Sequence, residues 1–138
     1  MMADNLSKEK RSWNMSRIRS GNTKPEIAVR RILHFLGYRF RLHRKDLPGK
    51  PDIVLPKYKT VIFVHGCFWH RHENCKYSYN PRSRAKFWQD KFAANIERDK
   101  QSAADLKMLG WRQLVIWECE TKDPENIRSI IEHFFEKS

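Results

Sequence analysis

The chain has 138 residues, 40% of them hydrophobic, and its 28 Lys and Arg against 16 Asp and Glu give a formal net charge of +12. That length fits one domain with a real core, and no run of roughly eighteen apolar residues is present to cross a bilayer. The amino terminus, MMADNLSKEKRSWNMSRIRSG, lacks the apolar core of a signal peptide, and three cysteines are an odd number for a disulfide framework, so a soluble cytoplasmic protein without membrane partners is expected.

Much of the positive excess falls within residues 8–50 and points to a polyanion. Five Trp, eight Phe and four Tyr add flat surfaces on which bases can stack. The alternative is a basic soluble domain with no nucleic-acid partner, because net charge speaks to non-specific binding and not to fold.

In chain order, residues 1–22 are polar and basic and end at Ser20-Gly21-Asn22, which predicts a flexible arm with one short helix ahead of a single domain over 23–138. TKPEIAVRRILHFLG predicts a helix: Thr23 is the N-cap, Glu26 completes a capping box and Gly37 stops it. Ala28, Ile32 and Phe35, with Val29, Leu33 and Leu36, form its apolar face. YRFRLH, DIVLP, TVIFVH and RQLVIWEC predict strands, the middle two being nearly continuous apolar runs of the kind central strands carry. A long helix is predicted over Ser83–Leu109, closed by Gly110, and a last one from near Pro124. The order α, three strands, α, strand, α is that of an α/β sandwich.

In the long helix, Phe92, Ile96, Ala103 and Leu106 form a narrow stripe facing the core, and Asp99 falls inside it, with Trp88 and Asn95 along its edge. A core-facing acid needs a partner, either an arginine in a salt bridge or a functional site. Glu26 has a purely local explanation in the capping box.

Chemistry concentrates in VIFVHGCFWHRHENC, residues 61–75. Cys67, His72 and Cys75 lie close in sequence, and Cys119 ends a strand expected beside this one. Three thiolates and an imidazole form a closed tetrahedral zinc set, the arrangement of a structural site; three unrelated core cysteines are the alternative. His65 and His70 flank Phe68-Trp69 and can supply a general base and a proton donor near neutral pH. Asp52, at the head of an apolar strand, can hold a hard cation such as Mg²⁺. Phe68 and Trp69 either pack over the loop or act as wedges between base pairs.

Through KRSWNMSRIRSGNTKPE, LPGKPDIVLP, VIFVHGCFWHRHENC, FWQDKFAANIERD and LGWRQLVIWECE, the chain resembles the Vsr, or very short patch repair, DNA mismatch endonucleases of bacteria. The resemblance implies a restriction-endonuclease-like fold, a central mixed sheet flanked by helices. It also implies an enzyme that nicks one strand 5′ to the thymine of a T·G mismatch, the product of 5-methylcytosine deamination. It makes Asp52 the Mg²⁺ ligand, joined by the backbone carbonyl of Val64, with His65 and His70 assisting water and phosphate. Glu26, Asn95 and Asp99 match acidic and amide positions around the same centre. Cys67, His72, Cys75 and Cys119 match structural zinc ligands. Phe68, Trp69 and Trp88 match aromatics that enter the helix at the mismatch, and Met15 in the DNA-contacting arm matches a side chain approaching from the minor groove. A nucleoid-associated monomer in contact with other mismatch-repair proteins is the expectation that follows.

The wider nuclease superfamily carries an acid and a lysine on the strand after its PD, where this chain has Phe63 and His65. The opposing functional class is a non-catalytic zinc module that reads DNA distortion and recruits other enzymes.

Overall fold

A computed structural model describes residues 23–136; the predicted arm over 1–22, with Met15, lies outside the described residues. Helix α1 spans Lys24–Phe35, started by Thr23, whose Oγ1 accepts the Glu26 N–H at 3.4 Å, and by Pro25 in its first turn. Val29 and Leu33 are fully buried, but Phe35 is 72% exposed, a correction to the predicted apolar face. The reason is angular: at 100° per residue Phe35 stands about 120° around the helix from Val29, beyond the margin of the buried stripe. Gly37, at φ 88°, supplies the left-handed residue after the helix.

Four strands follow: β1 Arg41–Leu42, β2 Ile53–Leu55, β3 Thr60–His65 and, after the long helix, β4 Arg112–Trp117. The predicted strand over 38–43 shrinks to two residues, because His43 turns into the left-handed region at φ 49° and ends it. The sheet order is β1-β2-β3-β4, with β1–β2 and β2–β3 antiparallel and β3–β4 parallel. Register pairs Ile53 with Ile62 and Ile62 with Leu114.

Alternation along β2 and β3 serves two cores. Ile53, Leu55 and Ile62 face α1 and the last helix, packing with Val29, Leu33, Ile116, Ile127 and Ile131. Val54, Val61 and Phe63 face the other way, with Leu47 and Leu106. Burial on both faces is why these strands read as unbroken apolar runs. Leu33→Ala would cost about 2–5 kcal/mol, since the cavity would open inside the first of these clusters.

The parallel β3–β4 pair requires a crossover. It contains α2, a single turn over Cys67–His70, and α3, Ala85–Met108, two residues later in starting than predicted, with Arg84 at φ 55° before it. Phe92 and Leu106 are buried as predicted, whereas Ile96 stands at the surface at 36% exposure. Beyond β4 a 3-10 turn, Glu118–Lys122, takes over where the strand was predicted to reach Cys119, and α4 runs Pro124–Glu136. A mixed four-stranded sheet with helices on both faces is an α/β fold. Among the described residues no helix is long and apolar enough to cross a membrane.

Candidate active site and metal centre

Asp52 stands immediately before β2, where the chain enters the sheet, and its Oδ2 accepts the Val64 N–H at 2.8 Å. Burial drives its pKa up to about 6; the neighbouring Glu26 charge adds to the rise, while the Val64 N–H, His43 and His70 oppose it. A carboxylate held so far from its ordinary value at a sheet edge is poised to gain from a cation. The Glu26 carboxylate, 2% exposed, is engaged beyond the helix's first turn: Oε1 accepts Arg30 Nη2 at 2.8 Å and the Nε2–H of His43. One ligand atom from each of Glu26, His43 and Asp52 lies within 4.8 Å of the others.

Beside this cluster, His70 sits at the end of α2 and its Nδ1 meets Asp99 Oδ2 at 2.6 Å. The acid in the stripe of α3 therefore has a histidine partner, and not the arginine a bland salt bridge would have used. His65, the last residue of β3, stacks on His70 with centroids 3.8 Å apart and planes 5° apart. Burial, and then the proximity of His70, lower its pKa to about 4, with Asp99 pulling the other way, so it is neutral at physiological pH.

The third group joins the loop to the end of the sheet. The His72 Nδ1 stands 3.6 Å from Cys67 Sγ and 3.4 Å from Cys119 Sγ, and all four ligand atoms of Cys67, His72, Cys75 and Cys119 lie within 4.8 Å of one another. A tetrahedral Zn²⁺ with ordinary Zn–S and Zn–N bonds places sulfur and nitrogen about 3.5 Å apart, so both observed edges fit. Burial pushes the Cys67 thiol up to about 12, and a soft divalent cation is what would let such sulfurs shed their protons. Cys67 caps the arrangement from β3's side, its N–H donating to Glu118 Oε1 at 3.3 Å.

The aromatic residues form one half-buried cluster. Phe68 meets Trp69 at 5.1 Å, Trp88 at 5.5 Å and Phe92 at 5.1 Å between centroids, and Trp69 lies 5.7 Å from Trp88. Arg71 covers Phe92 at 4.0 Å and is tied to the loop carbonyls of Ser78 and Tyr79. Asn95 sides with this cluster: its Nδ2 donates to the Trp69 carbonyl at 3.1 Å, and its Oδ1 accepts Arg98 at 2.9 Å. Its amide is therefore engaged with the aromatic loop, where it was expected around the Asp52 centre.

Three residues at the site escaped the sequence reading. His43 pairs with Glu26, and its own N–H donates to the Asp52 carbonyl at 3.1 Å. Arg30 lies one helical turn beyond Glu26, a spacing that could have flagged the pair. Trp117 is the parallel-register partner of His65 and lies between that ring and His72.

A family model described as DNA mismatch endonuclease Vsr matches residues 3–76. The chain is 54% identical over 122 residues to the type II nicking enzyme V.XorIIP of Xanthomonas oryzae, covering 88% of this chain and 89% of the relative. It is 47% identical over 122 residues to the type II nicking enzyme V.NmeAIP of Neisseria meningitidis, covering 88% of this chain and 86% of that one. To the DNA mismatch endonuclease Vsr of Escherichia coli it is 41% identical over 126 residues, 91% of this chain and 80% of the relative.

Proposed function

The chain belongs to the Vsr family of DNA mismatch endonucleases and is a DNA-cleaving nuclease, and we propose that it nicks one strand 5′ to the thymine of a T·G mismatch in a Mg²⁺-dependent reaction. The observation that carries this reading is the meeting, at one end of the sheet, of a buried carboxylate with its pKa raised to about 6 and a histidine aligned by an aspartate at 2.6 Å.

Asp52, Glu26 and the strand end at Val64 are the groups that would hold Mg²⁺. The Val64 N–H points at Asp52, and in an extended strand the carbonyl of the same residue leaves on the same edge, which supports its use as a second oxygen ligand. A cation there would supply the charge that stabilises the phosphate as negative charge builds on it.

His70 is the proton acceptor in this scheme. Its Nδ1–H is taken by Asp99, which leaves Nε2 with the lone pair to receive the proton of the attacking water. His65, neutral and pressed flat on His70, holds that ring in place and offers its own edge to phosphate or water. The oxygen of water becomes bonded to phosphorus, the bridging ester bond breaks, and the released alkoxide takes up a proton.

Cys67, His72, Cys75 and Cys119 would hold Zn²⁺ in a structural role, since four protein ligands would leave no open position. The half-buried Phe68, Trp69 and Trp88 are the surface on which an opened T·G step would stack. The mixed sheet covered on both faces supports a restriction-endonuclease-like fold. A monomer acting in the bacterial nucleoid, with hand-over to other repair proteins, completes the reading.

The test is a labelled duplex with a single T·G pair, incubated with protein and Mg²⁺. One cut at one position 5′ to the thymine is expected. Equal cutting of the fully paired duplex would overturn the mismatch assignment, and undiminished cutting in chelator would overturn the metal.

A further inference from the structure

We infer that His43 is a positioning residue of the reaction centre, holding the Glu26 carboxylate and the Asp52 backbone in one fixed relation through its two ends. The inference rests on the assignment of Asp52 and Glu26 to that centre. His43 is attached at both: its side-chain Nε2–H donates to Glu26 Oε1, and its main-chain N–H donates to the Asp52 carbonyl at 3.1 Å.

The backbone supports a specific role. His43 lies at φ 49°, in the left-handed region that non-glycine residues rarely enter and that persists only when the surroundings over-determine it. By continuing the β1–β2 register, Arg41 to Val54 and Leu42 to Ile53, His43 comes opposite Asp52. A continued strand would carry the chain onward beside the segment that leads into β2; the left-handed turn instead accompanies a ring that reaches α1 and its buried acid.

Glu26 needs such a partner. It is 2% exposed and carried by a helix, whereas Asp52 is carried by the sheet, so their separation depends on how α1 sits on the strands. Arg30 grips the same Oε1 from within α1 and moves with it. His43 reaches Glu26 from the sheet side, so it ties the helix-borne acid to the strand-borne one. Supporting hydrogen bonds of this type orient acidic groups toward a cation and sharpen its affinity.

The test compares His43→Gln, which keeps a donor at the end of the side chain, with His43→Leu, which removes it; both must enter the same left-handed backbone, so their difference isolates the hydrogen bond. Mn²⁺ binding is followed by the free-ion EPR signal, and nicking is followed against Mg²⁺ concentration. His43→Leu should raise both cation midpoints by about tenfold or more, the scale for losing an outer-shell partner, and His43→Gln should recover most of that loss. With Glu26→Gln already present, His43→Leu should add little, because the group it positions is gone.

Wild-type midpoints in His43→Leu, or equal losses in the Gln and Leu variants, would overturn the role of His43. If His43→Leu melts out, His43→Asn replaces it: asparagine tolerates the left-handed backbone but is too short to reach the carboxylate, and the same shift is expected. Asp52→Ala is the separate control for the centre itself. Nicking at the wild-type rate by that variant would overturn the underlying assignment, while an inactive Asp52→Ala beside an unaffected His43→Leu would overturn only this inference.

Discussion

The indole of Trp117 lies flat against the His72 imidazole, with 4.2 Å between centroids and 9° between planes, and makes a T-shaped contact with His65 at 5.2 Å. A zinc-ligand candidate and a histidine of the reaction centre are thus packed through one shared ring. His65 in turn stacks on His70, so disorder in the loop that carries Cys67, His72 and Cys75 has a direct route to the proposed proton acceptor.

Cys119→Ser should therefore lower the melting temperature and abolish DNA binding and nicking together. Structural zinc contributes roughly 10 kcal/mol or more to the folding of its peptide, and one lost ligand of four is a large share of that. Elemental analysis of purified protein should find about one tightly held zinc per chain. A folded, active protein without zinc would show that the cysteines are core residues.

Asp52 should trade stability for function. Its pKa of about 6 lies above the ordinary 3.8, so the folded state disfavours the charged form: this cost is absent below pH 3.8 and complete above pH 6. Asp52→Asn keeps an oxygen for the Val64 N–H and removes the charge. In metal-free protein at pH 7–8 it should be more stable by about 2–3 kcal/mol, read from denaturant midpoints, and it should not nick. His65 runs the opposite way, its lowered pKa costing stability as pH falls from 6.5 toward 4. The two slopes oppose each other in the native chain, so Asp52→Asn should also become more acid-sensitive across pH 4–6. A variant with unchanged stability and undiminished nicking would remove Asp52 from the centre.

What was legible in the chain follows from the range of the forces involved. Asp99 could be singled out because helical periodicity is rigid and an acid in an apolar stripe is costly wherever the helix packs. The grouping of Cys119 with residues 67–75 followed from expecting two strands side by side, and the parallel β3–β4 register brings them there. Glu26 read as a cap because capping is local; its contact with His43 spans 17 positions and depends on a two-residue strand with no pattern of its own. Trp117 was absorbed into the apolar run of its strand, since alternation does not reveal a ring facing two histidines.

The wedge makes a separable prediction. Trp69 is anchored by its carbonyl to Asn95 at 3.1 Å and by its ring to Phe68 and Trp88, so truncation to Ala removes the ring contacts and leaves the carbonyl anchor standing. Unstacking a base step costs a few kcal/mol, least at a mismatch, and an inserted ring offsets it. Trp69→Ala should narrow the binding preference for T·G over paired duplex, by competition at fixed salt. Substituting Arg17, one of the cations of the predicted arm over residues 1–22, should instead weaken both duplexes alike and flatten the salt dependence. An unchanged preference in Trp69→Ala would take the wedge out of the account.

The His70–Asp99 pair carries the sharpest kinetic expectation. Asp99 sits on α3 and His70 on α2, so their 2.6 Å contact is made by packing between separate elements and not by local geometry. An ionised carboxylate can only accept, which forces the proton onto His70 Nδ1 and frees Nε2 as the base. Asparagine offers both an acceptor and a donor, so Asp99→Asn permits the other tautomer and the wrong nitrogen is left basic. The carboxylate is about one-third exposed and the substitution is isosteric, so folding and DNA affinity should be close to wild type. The rate of the cutting step, measured in single turnovers with enzyme in excess, should fall by about 10²–10⁴-fold, the range general-base catalysis commands. His70→Ala should fall by a similar factor, and the double variant by little more than either alone, because the two act as one unit. Fully additive losses would mean that Asp99 serves the cation and not the histidine.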